Sequence, residues 1–599
     1  MNWEDRAVSA VYPVVQGFLS ILGKICTPFK VAPSETTLPT APPNTPDTPM
    51  PEIEAALSEL WAKKDEWANV SAGERAKLLE ACLTHVVDVA RETSKVGTQA
   101  HGSYGLGPNG EEMLYWSSTV LGMSTLLRAM RANGQPKPMT LQQRPNGQFV
   151  AEVFPQGVNG LIMGGMKGEV WIQKGKPPTQ GRIYRDKDAQ NGKLTGQVGL
   201  VLGAGNVVST TVIDILHMLL VEDHVVIVKM NPVNAFYGPF VEKAVAPFHC
   251  RGFVKIVYGG ADVGCHLCHS PMVTTVHLTG SERTFNAIVW GGQPKPGDGK
   301  KPLNKVIRGE LGCVTPCIIF PGNWTDRELE EQAKGVATGL VMNSSHNCCA
   351  HEVIVTSRDW PQRGAFLSHL RAVLSKAQRR VPWYPGSKRN YQLFFKQFPD
   401  AEKLGTGAAG EDDATEPWGF MSGLSPDEAQ TRRENWCGVL QEVCLPGCGN
   451  DVDKFSREAV AFANNKCWGT LSCSLIVHPA TKRAFPRAVE HALEELKYGT
   501  IVVNGPAPVG FAIMPLTWGA YPGNTLEDIG SGNCLVHNTY LYDHPEKSVL
   551  HVPWNFYPPF WLHTFSNLGQ VMEPVLSFVA RPTIYSLMRI ILPACRSQK

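Results

Sequence analysis

Three groups able to act on a carbonyl lie beside short apolar runs of this chain: an amide at Asn206, a carboxylate at Glu310 and a thiol at Cys348. Cys348 sits in "MNSSHNCCAH" (342–351), ahead of the apolar stretch "HEVIVTS". A thiolate there needs only nearby N–H donors or a cation to become a nucleophile; the commoner fate of a cysteine is that of a small buried hydrophobe. Glu310, in "RGELGCVTPCII", precedes a predicted buried strand. Partial desolvation there would raise its pKa toward that of a usable general base, whereas a surface carboxylate is the plain alternative. Asn206 follows "GLVLGAG" at the carboxyl end of a predicted parallel strand, where an amide points into the ligand crevice of an α/β sheet or else caps the next helix.

A second set of residues suits a nucleotide. Lys229 ends the next predicted strand, where an ammonium could reach a ribose or phosphate or simply be solvated. "HLTGS" (277–281) runs a strand into Gly280 and Ser281 at a helix start, whose free N–H groups suit a pyrophosphate. The turn Gly203-Ala204-Gly205 lacks the third glycine of a dinucleotide loop, but three such strand ends in succession favour a nucleotide crevice.

These positions need a scaffold, and 599 residues are too many for one core. Continuous Val/Ile runs such as "HVVIVKMNP" and "GTIVVNG", separated by amphipathic helices, predict an α/β protein with two doubly wound, Rossmann-like parallel sheets. The polar, alternating stretch 167–193 predicts an antiparallel arm. The division expected is an apolar segment and Pro-rich linker (1–51), a nucleotide-binding domain (52–309, arm 164–195), a catalytic domain (310–534) and an apolar, aromatic extension (535–599). Fifty-six basic against 54 acidic side chains leave no surplus for nucleic acid, and 16 scattered cysteines suit a reducing, cytoplasmic setting. The apolar ends are interrupted by proline, so contact with the body, a partner or a membrane surface is expected rather than a spanning helix. "CHLCH" (265–269) fits a haem-attachment pattern but is read as coincidence, and no metal site is expected.

In order and spacing, "GAGN", the strand-end lysine, "LTGS", "GELG", "N-x-S-x-x-C-x-A" and an "EV" pair resemble the motifs of the aldehyde dehydrogenase superfamily over residues 52 to about 534. The resemblance implies an aldehyde dehydrogenase-like fold, NAD or NADP as cofactor and an aldehyde as substrate. It implies Cys348 as nucleophile, Glu310 as general base and Asn206 as oxyanion donor. Lys229 and Glu442 would hold the cofactor riboses, and Gly280 with Ser281 the pyrophosphate. It further implies homo-oligomers built through the arm, and a substrate tunnel lined by Trp436, Trp468, Phe511 and Trp518. A coenzyme A-acylating variant and a silent nucleotide-binding scaffold are the alternatives; members of the first type generally lack the glutamate. Departures from the pattern are Ser345 and His346 for Gly and Gln, Cys313 for the second glycine of E-L-G-G, and Pro232 where many members carry an acid.

Overall fold

A computed structural model describes residues 45–102, 109–189, 194–291, 303–407, 414–555, 561–565 and 568–596. The apolar N-terminal segment, most of the Pro-rich linker and residues 190–193 at the end of the predicted arm lie outside them.

Two sheets carry the molecule. The smaller has five strands, all parallel, in the order Val254–Val257, His224–Lys229, Gln197–Leu202, Thr275–Gly280 and Val306–Leu311. Its apolar runs are covered on both faces, and the helix Val208–Leu220 is buried along its whole length. Strand order reverses between Gln197–Leu202 and Thr275–Gly280, so a crevice opens beyond their carboxyl ends.

The larger sheet has eleven strands. Seven run parallel: Pro545–His551, Thr500–Val503, Ser472–Ile476, Thr315–Ile319, His351–Ser357, Val439–Leu445 and Trp418–Leu424. The short strand Glu402–Leu404 closes one side antiparallel. On the other, Lys167–Ile172 pairs antiparallel with Pro545–His551 and continues into Phe149–Phe154 and Thr140–Gln143. The antiparallel arm therefore begins at Thr140, earlier than the pattern predicts, and only Lys167–Ile172 of the stretch 167–189 is strand. Arg182–Ala189, read as part of that excursion, is a helix.

The predicted C-terminal extension is built into the body. Leu535–Asn538 pairs with Thr517–Gly519, and Pro545–His551 enters the large sheet. The helix Leu568–Ala580 packs along Asn109–Arg131, closely enough that a Cβ on Gly110 would strike the backbone of Gly569. The following helix, Ile584–Arg596, leaves Ile584, Tyr585 and Met588 exposed. Among the described residues no helix is long and apolar enough to cross a membrane. "CHLCH" ends the helix Ala261–His269, with Cys268 in the core and His266 against Glu54.

Candidate active site

A cavity of about 950 Å³ lies between the sheets. One end meets the crevice of the small sheet, at Gly205, Asn206, Gly280 and Ser281; the other is apolar, walled by Leu114, Leu121, Phe511, Trp561, Met572 and Val575. Glu310, Cys348 and Cys349 face it where the two ends join.

The cysteine reaches this place on a strained loop. Asp326–Val341 starts on a Thr325/Glu328 capping box, and beyond its end Asn343, Ser344 and Ser345 all have left-handed backbone, with φ of 53°, 54° and 65°. Such non-glycine residues cost on the order of 1–3 kcal/mol each and persist only where their surroundings over-determine them. Here those surroundings are explicit. Glu111 accepts the Asn343 N–H while pairing with Arg380 at 2.6 Å. Asn343 Nδ2 donates to the carbonyls of Asn206 (3.3 Å) and His346 (3.1 Å), and Asn206 Nδ2 donates to the same His346 carbonyl at 3.0 Å. Cys348 is left partly open to the cavity, whereas Cys349 is 3% exposed.

Glu310, at the end of Val306–Leu311, is 2% exposed and accepts a hydrogen bond from Trp518 Nε1 at 3.2 Å. Burial pushes its pKa up to about 8, against the opposing hydrogen bonds of Trp518 and Cys348. The Cys348 thiol is held well above its ordinary value by its hydrogen bond with Cys349, by burial and by Glu310. Acid and thiol are thus mainly protonated at neutral pH and within reach of each other, and the pull of His277 on Glu310 does not outweigh burial.

His346 backs the loop. Its ring is fully buried against Trp383, Tyr384 and Trp436, at 5.1, 5.7 and 6.2 Å between centroids, and neither nitrogen has a hydrogen-bond partner among the described residues. Burial first, then His101 and Arg380, push it down to about 3, so it stays neutral.

On the nucleotide side, Ser281 caps Glu282–Trp290 by accepting the Thr284 N–H at 3.2 Å, and Arg283 joins Ser281 on the cavity wall. Lys229 is buried beside this wall and not on it: its ammonium donates to the carbonyls of Gly259 (2.9 Å) and Gly260 (3.4 Å).

Glu442 is not brought to the cavity. It lies inside Val439–Leu445, where its carboxylate accepts Arg363 Nε and Nη2 at 2.8 and 2.7 Å, the Gly423 N–H at 2.6 Å and the Thr356 hydroxyl. Besides Glu310, Glu434, two residues before Trp436, lines the cavity; burial first, then Glu352, hold its carboxyl well above the usual range. "ENWCG" (434–438) sets an acid two residues before an aromatic ring, an order that "EVCLPG" around Glu442 lacks. Of the four aromatic residues expected along the tunnel, Trp436 and Phe511 line the cavity, Trp518 reaches it only by donating to Glu310, and Trp468 does not line it.

The two sheets and the cavity between them define an α/β protein of Rossmann type with a thiol–carboxylate site at the mouth of a crevice. Residues 220–383 match the model of the aldehyde dehydrogenase family. Over 137 residues the chain is 32% identical to 4-trimethylaminobutyraldehyde dehydrogenase A of Danio rerio, a match spanning 22% of this chain and only 23% of that protein. Among solved structures it is similar to an aldehyde dehydrogenase of Mycobacterium tuberculosis complexed with NAD+ (TM-score 0.58, 14% identity, 86% of this chain and 92% of that one). It is likewise similar to the NADP-dependent glyceraldehyde-3-phosphate dehydrogenase of Bacillus halodurans, complexed with NADP (TM-score 0.56, 16% identity, 84% and 92%). The chain thus shares the aldehyde dehydrogenase fold along most of its length, and residues 220–383 carry the likeness to that family in sequence.

Proposed function

We propose that this protein oxidises an apolar aldehyde to the carboxylic acid, with NAD or NADP as hydride acceptor and Cys348 as nucleophile. The observation that carries the reading is the meeting of Cys348, Glu310 and Asn206 on one cavity with the Gly280–Ser281 helix start. A nicotinamide dinucleotide fits that end. The first-turn N–H groups of Glu282–Trp290, the side chain of Arg283 and the bare backbone of Gly280 offer a diphosphate donors, charge and close approach. Pro232 supplies no carboxylate against a 2′-phosphate, so NADP is as acceptable as NAD. The two complexed relatives carry one cofactor each.

In this reading Glu310 in its ionised form takes the proton of Cys348, and the sulfur adds to the aldehyde carbon. The oxygen, now negative, is met by the second N–H of the Asn206 amide and by the backbone N–H of Cys348. A nicotinamide dinucleotide held at the Gly280–Ser281 helix start and by Arg283 would supply the acceptor for the hydride of this carbon. Once that first proton has passed to solvent, the Glu310 carboxylate draws a proton from the water that attacks the resulting thioester, and the C–S electron pair leaves with Cys348. The apolar wall of Leu114, Leu121, Phe511, Trp561, Met572 and Val575 favours an apolar substrate tail.

The test is NADH and NADPH formation by the full chain across aldehydes of increasing chain length, with Cys348→Ala and Cys349→Ala alongside. Turnover should fall by about 10⁴-fold or more in Cys348→Ala and survive in Cys349→Ala. Equal activity in all three proteins would sink the assignment.

A further inference from the structure

The two residues expected to hold the cofactor riboses are engaged elsewhere, Lys229 with the carbonyls of Gly259 and Gly260 and Glu442 with Arg363, so the nucleotide end of the cavity draws its polar contacts from other side chains. Two of these meet at the turn after Gln197–Leu202. Leu202 is the register partner of Lys229 on one side and of Leu278 on the other. Gly205, Asn231 and Gly280, two or three residues further along, therefore lie level at three neighbouring strand ends. A Cβ placed on Gly205 would come within 2.7 Å of Tyr384 Oη and 2.8 Å of Asn231 Nδ2. Hydroxyl and amide thus converge on one point, the space that a side chain on Gly205 would fill, and all three residues wall the cavity.

Both groups are available as donors. Asn231 Oδ1 is spent on the Val233 N–H at 3.0 Å, and among the described residues neither Asn231 Nδ2 nor Tyr384 Oη has a hydrogen-bond partner. Tyr384 comes from the side of the large sheet, in the turn "VPWYPG" (381–386) that leads into the helix Ser387–Gln397. Its ring is held by those of His346 and Trp436, at 5.7 and 5.2 Å between centroids. Burial first, then Glu434, keep its hydroxyl above the ordinary value, so it stays protonated. Glu434 is itself held well above the usual carboxylate range by burial, and Arg283, Arg389 and Arg433 face the same cavity, so the balance of charge there suits an anion.

We infer that Tyr384 and Asn231 donate to the diphosphate of the cofactor, from the side of the strand-end crevice across from the Gly280–Ser281 helix start. This rests on the proposed function, because the ligand is the cofactor of that reading. An amide N–H and a phenol O–H converging on one point, with the neighbouring carbonyl oxygen already occupied, offer donors and no amide acceptor, which matches phosphate oxygens better than a ribose hydroxyl. The missing side chain at Gly205 leaves the room in which such an oxygen can meet both donors. Because Asn231 follows a strand of the small sheet and Tyr384 belongs to the catalytic half, the bound diphosphate ties the two halves together beside the loop that carries Cys348.

The test is the affinity of the full chain for NADH, NADPH, ADP and adenosine, read from the fluorescence of the reduced nucleotides and their displacement by the other two. Tyr384→Phe keeps the ring between His346 and Trp436 and removes only the hydroxyl. It should raise the Kd of NADH, NADPH and ADP about tenfold and leave that of adenosine within about twofold. Asn231→Asp keeps the oxygen that caps Val233 and puts a negative oxygen where the donor was, so the same three constants should rise about a hundredfold. Thermal melting identifies a variant that has merely unfolded, and Tyr384→Phe decides the matter if Asn231→Asp does so. Kd values for NADH and ADP within twofold of wild type in folded Tyr384→Phe, or an equal loss for adenosine, would overturn the diphosphate site while leaving the cofactor in place. Failure of the wild type to bind either reduced nucleotide would remove the cofactor reading and the site together.

Discussion

Glu310 and Glu442 are equally removed from solvent and both belong to parallel strands, yet their surroundings have nothing else in common. Glu442 has a guanidinium across it, two further donors and no opening. Glu310 has an indole N–H, a thiol and a cavity. One carboxylate is fully compensated and so fixes structure; the other is left short of partners and so keeps a proton to trade. Burial by itself therefore says little about a carboxylate's role, and the partner decides it.

The sharpest way to break that contrast is to neutralise each acid in turn. Glu310→Gln should lower aldehyde turnover by about 10²–10⁴-fold, with Cys348 still reactive toward alkylating reagents. Glu442→Gln should leave the turnover of folded protein nearly intact but cost about 3 kcal/mol in denaturant unfolding, because it strands Arg363. Loss of turnover in the second variant at full stability would reverse the roles assigned here.

The contrast also sets a pH signature. With Glu310 near 8 in the folded chain, its base form, and with it the deacylation rate, should rise about tenfold per pH unit up to about 8 and then level. Stability runs the other way. The folded pKa lies above the ordinary 4.5, so the neutral acid's contribution is whole below about 4.5 and lost as pH rises through about 8. Glu310→Gln should thus be more stable than wild type at pH 9 and not at pH 4, a crossing that paired melting curves would reveal.

Smaller effects probe what holds the thiol against Glu310. Glu111→Gln loosens the clamp on Asn343 and should reduce turnover about tenfold with little change in aldehyde KM, since the loop and not the tunnel is disturbed. Ser345→Gly relieves one of three left-handed residues and should stabilise the fold by about 1 kcal/mol, read by denaturant midpoint. A destabilised Ser345→Gly would mean that the serine side chain, and not its backbone, is what the loop needs.

Much of this was legible beforehand, for reasons that can be named. The strands of the small sheet are apolar on both faces, so their runs stand out, and Asn206, Gly280 and Glu310 each follow or end such a run. Cys348 is fixed by residues five before and two after it. What escaped depends on partners distant in the chain. Arg363, 79 residues from Glu442, is what turns that acid inward, and no local pattern announces it. Residues 182–189 are polar enough to read as surface strand, yet they fold as a helix whose Tyr184 is buried and donates to the Leu220 carbonyl. The tail's hydrophobicity was plain, but not that Met572 and Val575 would wall the cavity, because apolar periodicity names a face and not its occupant.

The placement of Pro545–His551 also imposes an order of events on the ribosome. It is the strand that joins Lys167–Ile172 to the parallel part of the large sheet, and about 370 residues of chain separate the two. At the usual ~5–20 residues per second, the inner edge of Lys167–Ile172, with Val170, Trp171 and Ile172 destined for burial, waits roughly 20–75 s for its neighbour. Through that interval a nascent chain presents an unpaired apolar strand edge, the kind of surface that chaperones hold and that neighbouring nascent chains on a polysome can mispair with.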